Sequence, residues 1–570
     1  MRSRSVVLTL LSGIAAVLGA LGLGPEKATA PADLFFLHGA VLTMDAARSW
    51  ATSVAVRGGR IVYVGTDTGA SSFRGPTTRV VDLEGRMLLP GFHDSHVHPV
   101  SGGMQLAECD LTSLKTKDEV FAAIRRYAAA HPQDPWIIGN GWAQPMFPGG
   151  SPTRQELDRI VADRPAFMAT ADAHSAWVNT KALEIAGVTR DTKDPRNGRI
   201  ERDTSGEASG TLHESATSFV SDLLPKPTAE QHREGLARGL EIANRHGITS
   251  VIEADAGERI LEAYGDFERR GKLTARVVAS LAVDVARGPE QVAELGARRT
   301  RYTRGRLHAT AAKIFADGVV ESETAALLEP YLDRPGWSGE PKLSPEAFDR
   351  LAVALDRAGF QIHVHAIGDR AIRMTLDALE AARKANGPRD ARPLIAHLEL
   401  IDPHDIPRFR KLGVLPDFQP LWAYEDSYMR DLNLPQLGPE RSRWIYPIAS
   451  VVRTGAVVVA GSDWNVSTID PLEAIQVAVT RRDPDDPSSK TFVPEERVDL
   501  PTILAAYTIN GAYASRQEKE TGSIEVGKAA DLVVLDRNLF DIPSEEIHET
   551  KVLWTLLDGA EVYREASYRP

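Results

Sequence analysis

Apolar and polar positions in the middle of the chain follow two alternating patterns. Short apolar runs predict eight strands, at residues 87–98, 247–255, 274–283, 309–317, 360–369, 393–400, 414–420 and 456–463. Between most of these runs, apolar residues recur every three or four positions, as in 346–359 and 369–387, which predicts helices. Eight strands that alternate with helices predict an α/β fold, a closed (β/α)8 barrel of the TIM type. The active site of such a barrel lies at the carboxyl ends of its strands.

Both ends of the chain have a different pattern. Short β-branched runs, separated by Gly and Asp turns, occur in residues 33–88 and again in the last part of the chain. We therefore expect a small β-sandwich domain formed by residues 33–88 and 516–570, which flanks a barrel domain over 89–515. The gap between the first two barrel strands is too long for a single crossover, so residues 107–230 are predicted to form an insertion above the barrel mouth.

The N-terminal residues are expected to be separate from the fold. Two arginines precede an apolar stretch at 6–24, and Ala30 and Ala32 supply the small residues of a cleavage site after Ala32. This arrangement is typical of a signal peptide over residues 1–32, which predicts export to the periplasm or the exterior. The stretch is also near the length of a short membrane helix, so an uncleaved N-terminal anchor stays open as the alternative.

The overall composition narrows the class of protein. The chain has 570 residues, of which 43% are hydrophobic, and a net charge of −12 without a basic patch. This composition is typical of a globular protein and argues against a nucleic-acid partner. Cys109 is the single cysteine, which excludes an intrachain disulfide and a metal site made of cysteines alone. We expect a small-molecule substrate as the partner, and a homodimer is left open.

Polar side chains stand at the ends of several predicted barrel strands. They are His96 and His98 at the first strand, Lys313 at the fourth, His365 at the fifth, His397 at the sixth and Asp463 at the eighth. Taken singly, each has an ordinary explanation, such as a surface lysine, a core histidine or a helix cap. If the barrel closes, however, all of them converge on one point. The strand ends therefore predict a metal centre.

The residue types in this set suit a divalent cation. Imidazole and carboxylate are ligands for Zn²⁺, Mn²⁺, Fe²⁺ or Co²⁺. A lysine amine is a poor ligand because it must first lose its proton. Lys313 carboxylated by CO₂ would instead be an anionic carbamate that bridges two cations. We therefore expect a divalent metal as the cofactor, with zinc favoured, at one or two ions per chain.

Several short motifs together resemble a known family. These are HxH after the turn PGF, KIFADG, HAIGD, GSDW and the C-terminal segment GSIEVGKAADLVVLD. In combination they resemble the metal-dependent amidohydrolase superfamily, over residues 35–564. Within it, the segments DAHSAWVNTKAL at 172–183 and GEASGTLHE at 206–214 are similar to the YtcJ-like branch, which includes N-substituted formamide deformylases.

The resemblance implies a role for each metal ligand. It implies that His96 and His98 bind the deeper metal ion and that His365 and His397 bind a second one. Lys313, carboxylated, would bridge the two ions. These assignments agree with the positions of the same residues at the predicted strand ends.

The resemblance also implies an activity. This is hydrolysis of a carbon–nitrogen bond other than a peptide bond, in an amide or N-formyl amide, through a metal-bound hydroxide. Asp463, itself linked to the metal, would act as the catalytic acid and base, and His397 would help to stabilise the oxyanion. The alternatives are opening of a cyclic amide, deamination, lactone or ester hydrolysis at the same site, or a catalytically silent binding protein on the same scaffold.

Two histidines depart from the pattern of the branch. His363 forms a second HxH motif with His365, at a position where the branch usually has no histidine. It could compete with His365 as a ligand, although the HAIGD context favours His365. His93 lies three residues before His96 and hence on the opposite face of the strand, so we expect it to pack or to support a ligand.

Substrate contacts are expected from the insertion and from the loops after the strands. We predict His174, Trp142 and Trp464 as substrate-binding residues, because aromatic walls suit a hydrophobic substituent or ring. The alternative for each tryptophan is that it packs the insertion against the barrel.

Overall fold

The computed structural model describes residues 30–112 and 114–570. The predicted signal peptide over 1–32 lies outside these residues, except for 30–32. In the described part of the chain, no helix combines the length and the apolar composition that crossing a membrane requires.

Eight parallel strands form the central sheet, and each is hydrogen-bonded to the next in chain order. They are β1 (Phe92–Val97), β2 (Ile248–Ala256), β3 (Arg276–Ala282), β4 (Leu307–Phe315), β5 (Gln361–Ala366), β6 (Leu394–His397), β7 (Leu415–Phe418) and β8 (Val459–Ala460). The ring closes after β8, where the Asp463 amide donates to the His96 carbonyl at 2.7 Å. The predicted (β/α)8 barrel is therefore confirmed.

Helices connect these strands. Their bounds are Pro99–Gln105, Ala229–Arg245, Glu258–Arg269, Val292–Tyr302, Pro345–Arg357, Asp369–Asn386, Ile406–Leu412, Leu434–Ser442, Ile448–Arg453, Pro471–Thr480, Leu500–Ala506 and Ile509–Ala514. Local chemistry sets where they begin: Thr228 and Gln231 form a capping box at the start of Ala229–Arg245. Because helices cover parallel strands on their outer face, the strands read as nearly continuous apolar runs.

The first predicted strand, 87–98, is in fact two strands in two different sheets. Met87–Pro90 pairs with Leu532–Leu535, and β1 begins only at Phe92. The break falls at Gly91, whose N–H still donates to the carbonyl of Asp531, next to Leu532–Leu535, at 2.9 Å. A Cβ at Gly91 would lie 2.3 Å from the Thr249 hydroxyl, so only glycine fits where the chain passes from one sheet to the other.

The long connection between β1 and β2 contains a separate sheet of six strands. In spatial order these are Gly198–Arg202, Ala208–Glu214, Ser175–Val178, Ala166–Thr170, Ile137–Trp142 and Cys109–Asp110. The helices of this region are Lys117–Ala130, Arg154–Asp158, Thr180–Ile185 and Ser218–Ser221. The predicted limits of the insertion, 107–230, stay a prediction.

The two chain ends contribute to two further sheets. The first contains Arg60–Gly65, Ser53–Arg57, Leu34–Leu37 and Arg79–Asp82 in spatial order, with the short helix Asp67–Ala70 nearby. The second contains Ala560–Arg564, Val552–Leu557, Leu532–Leu535, Met87–Pro90, Ala40–Leu42 and Trp50–Ala51. One apolar cluster joins side chains of both sheets, Phe36 and Val54 from the first and Leu88, Val534 and Trp554 from the second.

Ion pairs connect the C-terminal strands to the barrel. Arg276, at the start of β3, donates to Asp531 at 2.7 Å and to Asp558 at 2.5 Å. Arg306 donates to the other oxygen of Asp558 at 2.5 Å. Two guanidinium groups thus share one carboxylate where the terminal sheet meets the barrel.

We expect Asp558→Asn to destabilise the protein by roughly 1 kcal/mol at pH 7 and by less at pH 3. Burial opposes ionisation of this carboxyl, but Arg276 and Arg306 outweigh burial and lower its pKa. A lowered folded-state pKa contributes stability above the unfolded pKa, and this contribution is lost as the pH falls through the folded pKa. Thermal unfolding at both pH values measures the effect, and an equal loss at both would contradict it.

Candidate metal centre

His96 and His98 lie at the barrel mouth beside the carboxylate of Asp463. His96 lies in strand β1 and His98 directly follows that strand, so the two imidazoles are two residues apart. Asp463 lies in the turn after β8. Asp463 Oδ1 lies 3.4 Å from His96 Nε2 and 3.2 Å from His98 Nε2. One ligand atom from each of the three residues lies within 4.8 Å of the others. This donor set, two imidazoles and a carboxylate, fits a divalent transition metal.

Lys313 reaches the same point from β4. Its Nζ lies 3.2 Å from His96 Nε2, and the residue is 1% exposed. Burial lowers the pKa of this ammonium to about 8, although carboxylates such as Asp463 oppose the shift. A lowered pKa makes the neutral amine accessible, and the neutral amine is the form that can react with CO₂.

His365 and His397 complete the cluster from β5 and β6. Their ring centroids are 4.5 Å apart, and the His397 ring is 4.7 Å from that of His96. His397 Nδ1 lies 2.9 Å from Gln419 Oε1, which leaves Nε2 as the nitrogen for a metal bond. His365 Nε2 lies 3.1 Å from the Gly318 carbonyl, which leaves Nδ1. Such partners fix the tautomer and the orientation of a metal-ligating ring.

The structure therefore brings all six predicted residues into one cluster, while their individual roles stay predictions. Burial dominates the electrostatics of most of the imidazoles. It lowers the pKa of His397 to about 3 and holds the pKa values of His96 and His365 well below the ordinary value. These three rings are neutral at physiological pH, and the neutral ring is the form that binds a metal.

His98 behaves differently from the other imidazoles. Burial opposes its protonation, but Asp463 and Glu253 outweigh burial and raise the pKa of His98 to about 10. The His98 ring is therefore protonated at neutral pH, with its Nε2 3.2 Å from Asp463 Oδ1. Because a metal ion competes with protons for its ligands, cation binding at this point is expected to release that proton.

Two acidic residues of the site, Glu253 and Asp417, were not among the residues predicted from the sequence. Glu253 of β2 is fully buried, and its Oε1 lies 3.5 Å from His98 Nδ1. The Tyr264 hydroxyl donates to its other oxygen at 3.0 Å. The acidic pair in the run VIEAD was the available signal, since it interrupts an apolar strand close to its carboxyl end.

His174 reaches the barrel mouth from the insertion. Its ring centroid lies 5.3 Å from that of His365. Its Nδ1 is 2.8 Å from Glu214 Oε1, and Lys342 Nζ donates to the other oxygen of Glu214 at 3.1 Å. Burial opposes protonation of His174, but Glu214 outweighs burial and raises its pKa. The insertion thus presents a polar ring beside the histidine cluster, although its contact with substrate stays a prediction.

Trp142 requires a correction. It is fully buried in the core of the insertion together with Phe147 and Trp177. Its indole N–H donates to the Met168 carbonyl at 2.8 Å. Its apolar surface is therefore buried, and its one hydrogen-bond donor is paired, within the insertion. Trp142 packs the core of the insertion and does not make the predicted substrate contact.

Two other tryptophans lie closer to the cluster. Trp464 directly follows Asp463 in the chain, is 9% exposed and packs against Gly102. Trp422 stacks on His397, with ring centroids 5.8 Å apart and 9° between the planes. Of the two, Trp422 is in direct contact with a predicted ligand, whereas substrate contact by Trp464 stays a prediction.

The backbone is strained at three residues of this region. The φ angles are 78° at His397, 53° at Asp463 and 50° at Glu214. Residues other than glycine rarely adopt these values, and where they do, the surrounding structure must impose them. Such strain is concentrated at functional sites in many proteins.

Comparison with known proteins agrees with this geometry. The amidohydrolase family matches residues 79–563. The putative amidohydrolase YtcJ of Bacillus subtilis (strain 168) is 29% identical over 502 residues, which cover 86% of this chain and 92% of YtcJ. The N-substituted formamide deformylase of Arthrobacter pascens is 30% identical over 539 residues, which cover 92% of this chain and 97% of the deformylase.

A solved structure has the same fold over most of the chain. The crystal structure of an uncharacterized metal-dependent hydrolase from Pyrococcus horikoshii OT3 superposes with a TM-score of 0.71 at 26% identity, covering 90% of this chain and 99% of that one. The family match spans most of the chain, and the barrel-mouth cluster supplies the ligand types that such an enzyme needs. The chain therefore belongs to the amidohydrolase family, within its YtcJ-like branch, and is a metal-dependent hydrolase.

Proposed function

We propose that the protein hydrolyses carbon–nitrogen bonds other than peptide bonds in small molecules, namely amides and N-formyl amides. The observation that carries this proposal is the buried cluster of imidazoles and Asp463 at the barrel mouth, with Lys313 in contact with it. The similarity to an N-substituted formamide deformylase over 92% of this chain supports an amide as the substrate class.

The cofactor of this proposal is zinc, at one or two ions per chain. The residues that would hold it are His96, His98, Lys313 as a carbamate, His365, His397 and Asp463. When bound, the cation supplies Lewis acidity, which polarises a carbonyl and lowers the pKa of water.

Asp463 is proposed to carry the proton. It would accept a proton from the attacking water on a carboxylate oxygen and deliver it to the leaving nitrogen. Burial opposes ionisation of Asp463, but hydrogen bonding to His98 and the charges of His98 and Lys313 outweigh burial and lower the pKa of Asp463. The carboxylate is therefore ionised at neutral pH and able to act as a base.

The insertion and the loop after β7 are proposed to bind the substrate. His174, held by Glu214, would donate a hydrogen bond to the oxygen of the carbonyl as negative charge develops there. Trp422, stacked on His397, would form an aromatic wall for the substituent on nitrogen. Trp464 is retained as a second aromatic candidate near Asp463.

Metal analysis and a substrate panel test the proposal together. Purified protein is expected to contain zinc and to release formate from N-formyl amines or carboxylate from acyl amides. Cyclic amides, aminated heterocycles and lactones complete the panel, because turnover of those compounds alone would replace the proposed substrate class. Zinc-loaded protein that unfolds at the same temperature as metal-free protein, and that turns over none of the panel, would contradict the proposal.

A further inference from the structure

His363 is buried beneath the predicted metal ligands and contacts one of them directly. It precedes His365 by two residues on β5, and it is fully buried. Its Nε2 lies 2.9 Å from His96 Nδ1, and its Nδ1 lies 2.9 Å from Ser280 Oγ on β3. Both nitrogens of His363 are thus engaged, one by a predicted ligand and the other by the barrel wall.

The hydrogen bonds that link His96, His363 and Ser280 can run in only one direction if His96 Nε2 is to bind a metal. The other nitrogen of His96, Nε2, faces Lys313 Nζ at 3.2 Å and Asp463 Oδ1 at 3.4 Å. If Nε2 is to bind a cation, it needs a free lone pair, and the proton of His96 must then reside on Nδ1. That N–H donates to His363 Nε2, so the proton of His363 resides on Nδ1 and is donated to Ser280.

We propose that His363 is a positioning residue, which fixes the tautomer and the ring orientation of His96 so that His96 Nε2 faces the metal. This inference rests on the proposed role of His96 as a ligand. Metal-ligating histidines commonly donate their second N–H to a carboxylate or a carbonyl, and loss of that acceptor typically costs 10–100-fold in metal affinity. Here the acceptor is a second imidazole, itself held by Ser280.

Ring rotation explains why such a partner matters. Without an acceptor at His363, the His96 ring can adopt either tautomer or flip about its Cβ–Cγ bond. The surroundings of the His96 ring are closed to solvent, because His96, His363 and Lys313 are each at most 1% exposed. Bulk water therefore cannot easily replace the lost acceptor. A buried N–H without a partner is itself unfavourable, so the protein would lose both order at the ligand and hydrogen-bond energy.

Asp417 of β7 offers a different explanation for the same histidines. It is fully buried, and neither of its oxygens has a hydrogen-bond partner among the described residues. One of its oxygens lies within 4.8 Å of ligand atoms of His96 and His363. A cation held by His96, His363 and Asp417 would make His363 a ligand itself. The direct contact between His96 and His363 at 2.9 Å favours the hydrogen bond, and the experiment below separates the two cases.

The test compares His363→Leu and His363→Gln with the wild type, each prepared without metal and titrated with Zn²⁺ against a chromophoric chelator. We expect His363→Leu to bind Zn²⁺ 10–100-fold more weakly with an unchanged number of ions per chain. His363→Gln keeps a hydrogen-bond acceptor near the position of Nε2 and is expected to recover part of the affinity. His213→Leu is the matched control, because His213 is also buried but lies in the insertion, bonded to Ser175 and Glu201.

A second measurement separates positioning from a general loss of structure. At saturating Co²⁺, His363→Leu is expected to show changed visible ligand-field bands, whereas His213→Leu shows those of the wild type. Unchanged affinity and unchanged bands in His363→Leu would overturn the inference, as would the loss of one whole equivalent of metal, which would make His363 a ligand. A wild type that binds no metal, or a His96→Ala variant with wild-type affinity, would instead overturn the proposed role of His96.

Discussion

Replacing Asp463 with asparagine is expected to lower kcat by about 10²–10⁴-fold, the usual contribution of a positioned general acid or base. The amide keeps the size of the side chain and an oxygen beside His96 and His98, so the variant should fold and retain metal. It cannot, however, accept a proton from water or deliver one to a leaving nitrogen. The measurements are kcat on the best substrate of the panel, zinc content, and the thermal unfolding temperature.

A second aspartate provides the control for this experiment. Asp405 is also buried, at 3% exposure, but it pairs with Arg373 at 2.8 Å at the start of helix Ile406–Leu412. Asp405→Asn is expected to retain wild-type kcat. Near-normal turnover by Asp463→Asn would remove this residue from the role of acid and base, whatever its effect on stability.

Replacing Lys313 with alanine is expected to abolish turnover and to lose at least one equivalent of metal. The Lys313 Nζ lies 3.2 Å from His96 Nε2, and a carbamate formed on it would supply an anionic ligand to the metal centre. Removal of the buried side chain also leaves a cavity. Acetate or propionate, which offer a carboxylate of similar shape, are expected to restore part of the metal content and activity.

Lys342 offers a closely matched control for the loss of metal. Its Nζ lies 5.4 Å from the centre of the Phe315 ring, and that of Lys313 lies 5.0 Å from the same ring. Lys342, however, pairs with Glu214 and has no contact with the predicted ligands. Lys342→Ala is expected to retain its metal in the same analysis. Full metal occupancy in Lys313→Ala without added carboxylate would rule out a bridging lysine.

The barrel could be predicted because its evidence is local and repeated. Each strand is a short apolar run followed by a helical pattern, and eight such units leave few alternative architectures. The members of the barrel-mouth cluster could be predicted for the same reason: His96, Lys313, His365 and Asp463 each stand at the end of a run. Closure of the barrel then brings the ends together, without any information on side-chain contacts.

What could not be predicted depends on contacts between distant parts of the chain. The sequence does not indicate that Ser280 and His363 meet across β3 and β5, or that Glu253 lies beside His98. The run 87–98 divides at Gly91, where Thr249 packs closely against this glycine, a contact that the sequence does not reveal. Trp142 was misassigned because the sequence pattern of an aromatic residue near a strand end is the same whether its ring faces a cavity or the core. Only the packing distinguishes the two cases.

The arrangement of Met87–Pro90 also bears on how the molecule can be assembled. This strand lies between Ala40–Leu42 and Leu532–Leu535, so one of its neighbours is made before it on the ribosome and the other about 440 residues after it. Until Leu532–Leu535 has been synthesised, the fully apolar strand Met87–Pro90 has an unpaired edge. An unpaired strand edge promotes pairing with other molecules. Shortened forms that end between Asp463 and Leu532 would keep that edge open permanently, so such deletions should yield aggregates even though no predicted metal ligand is removed.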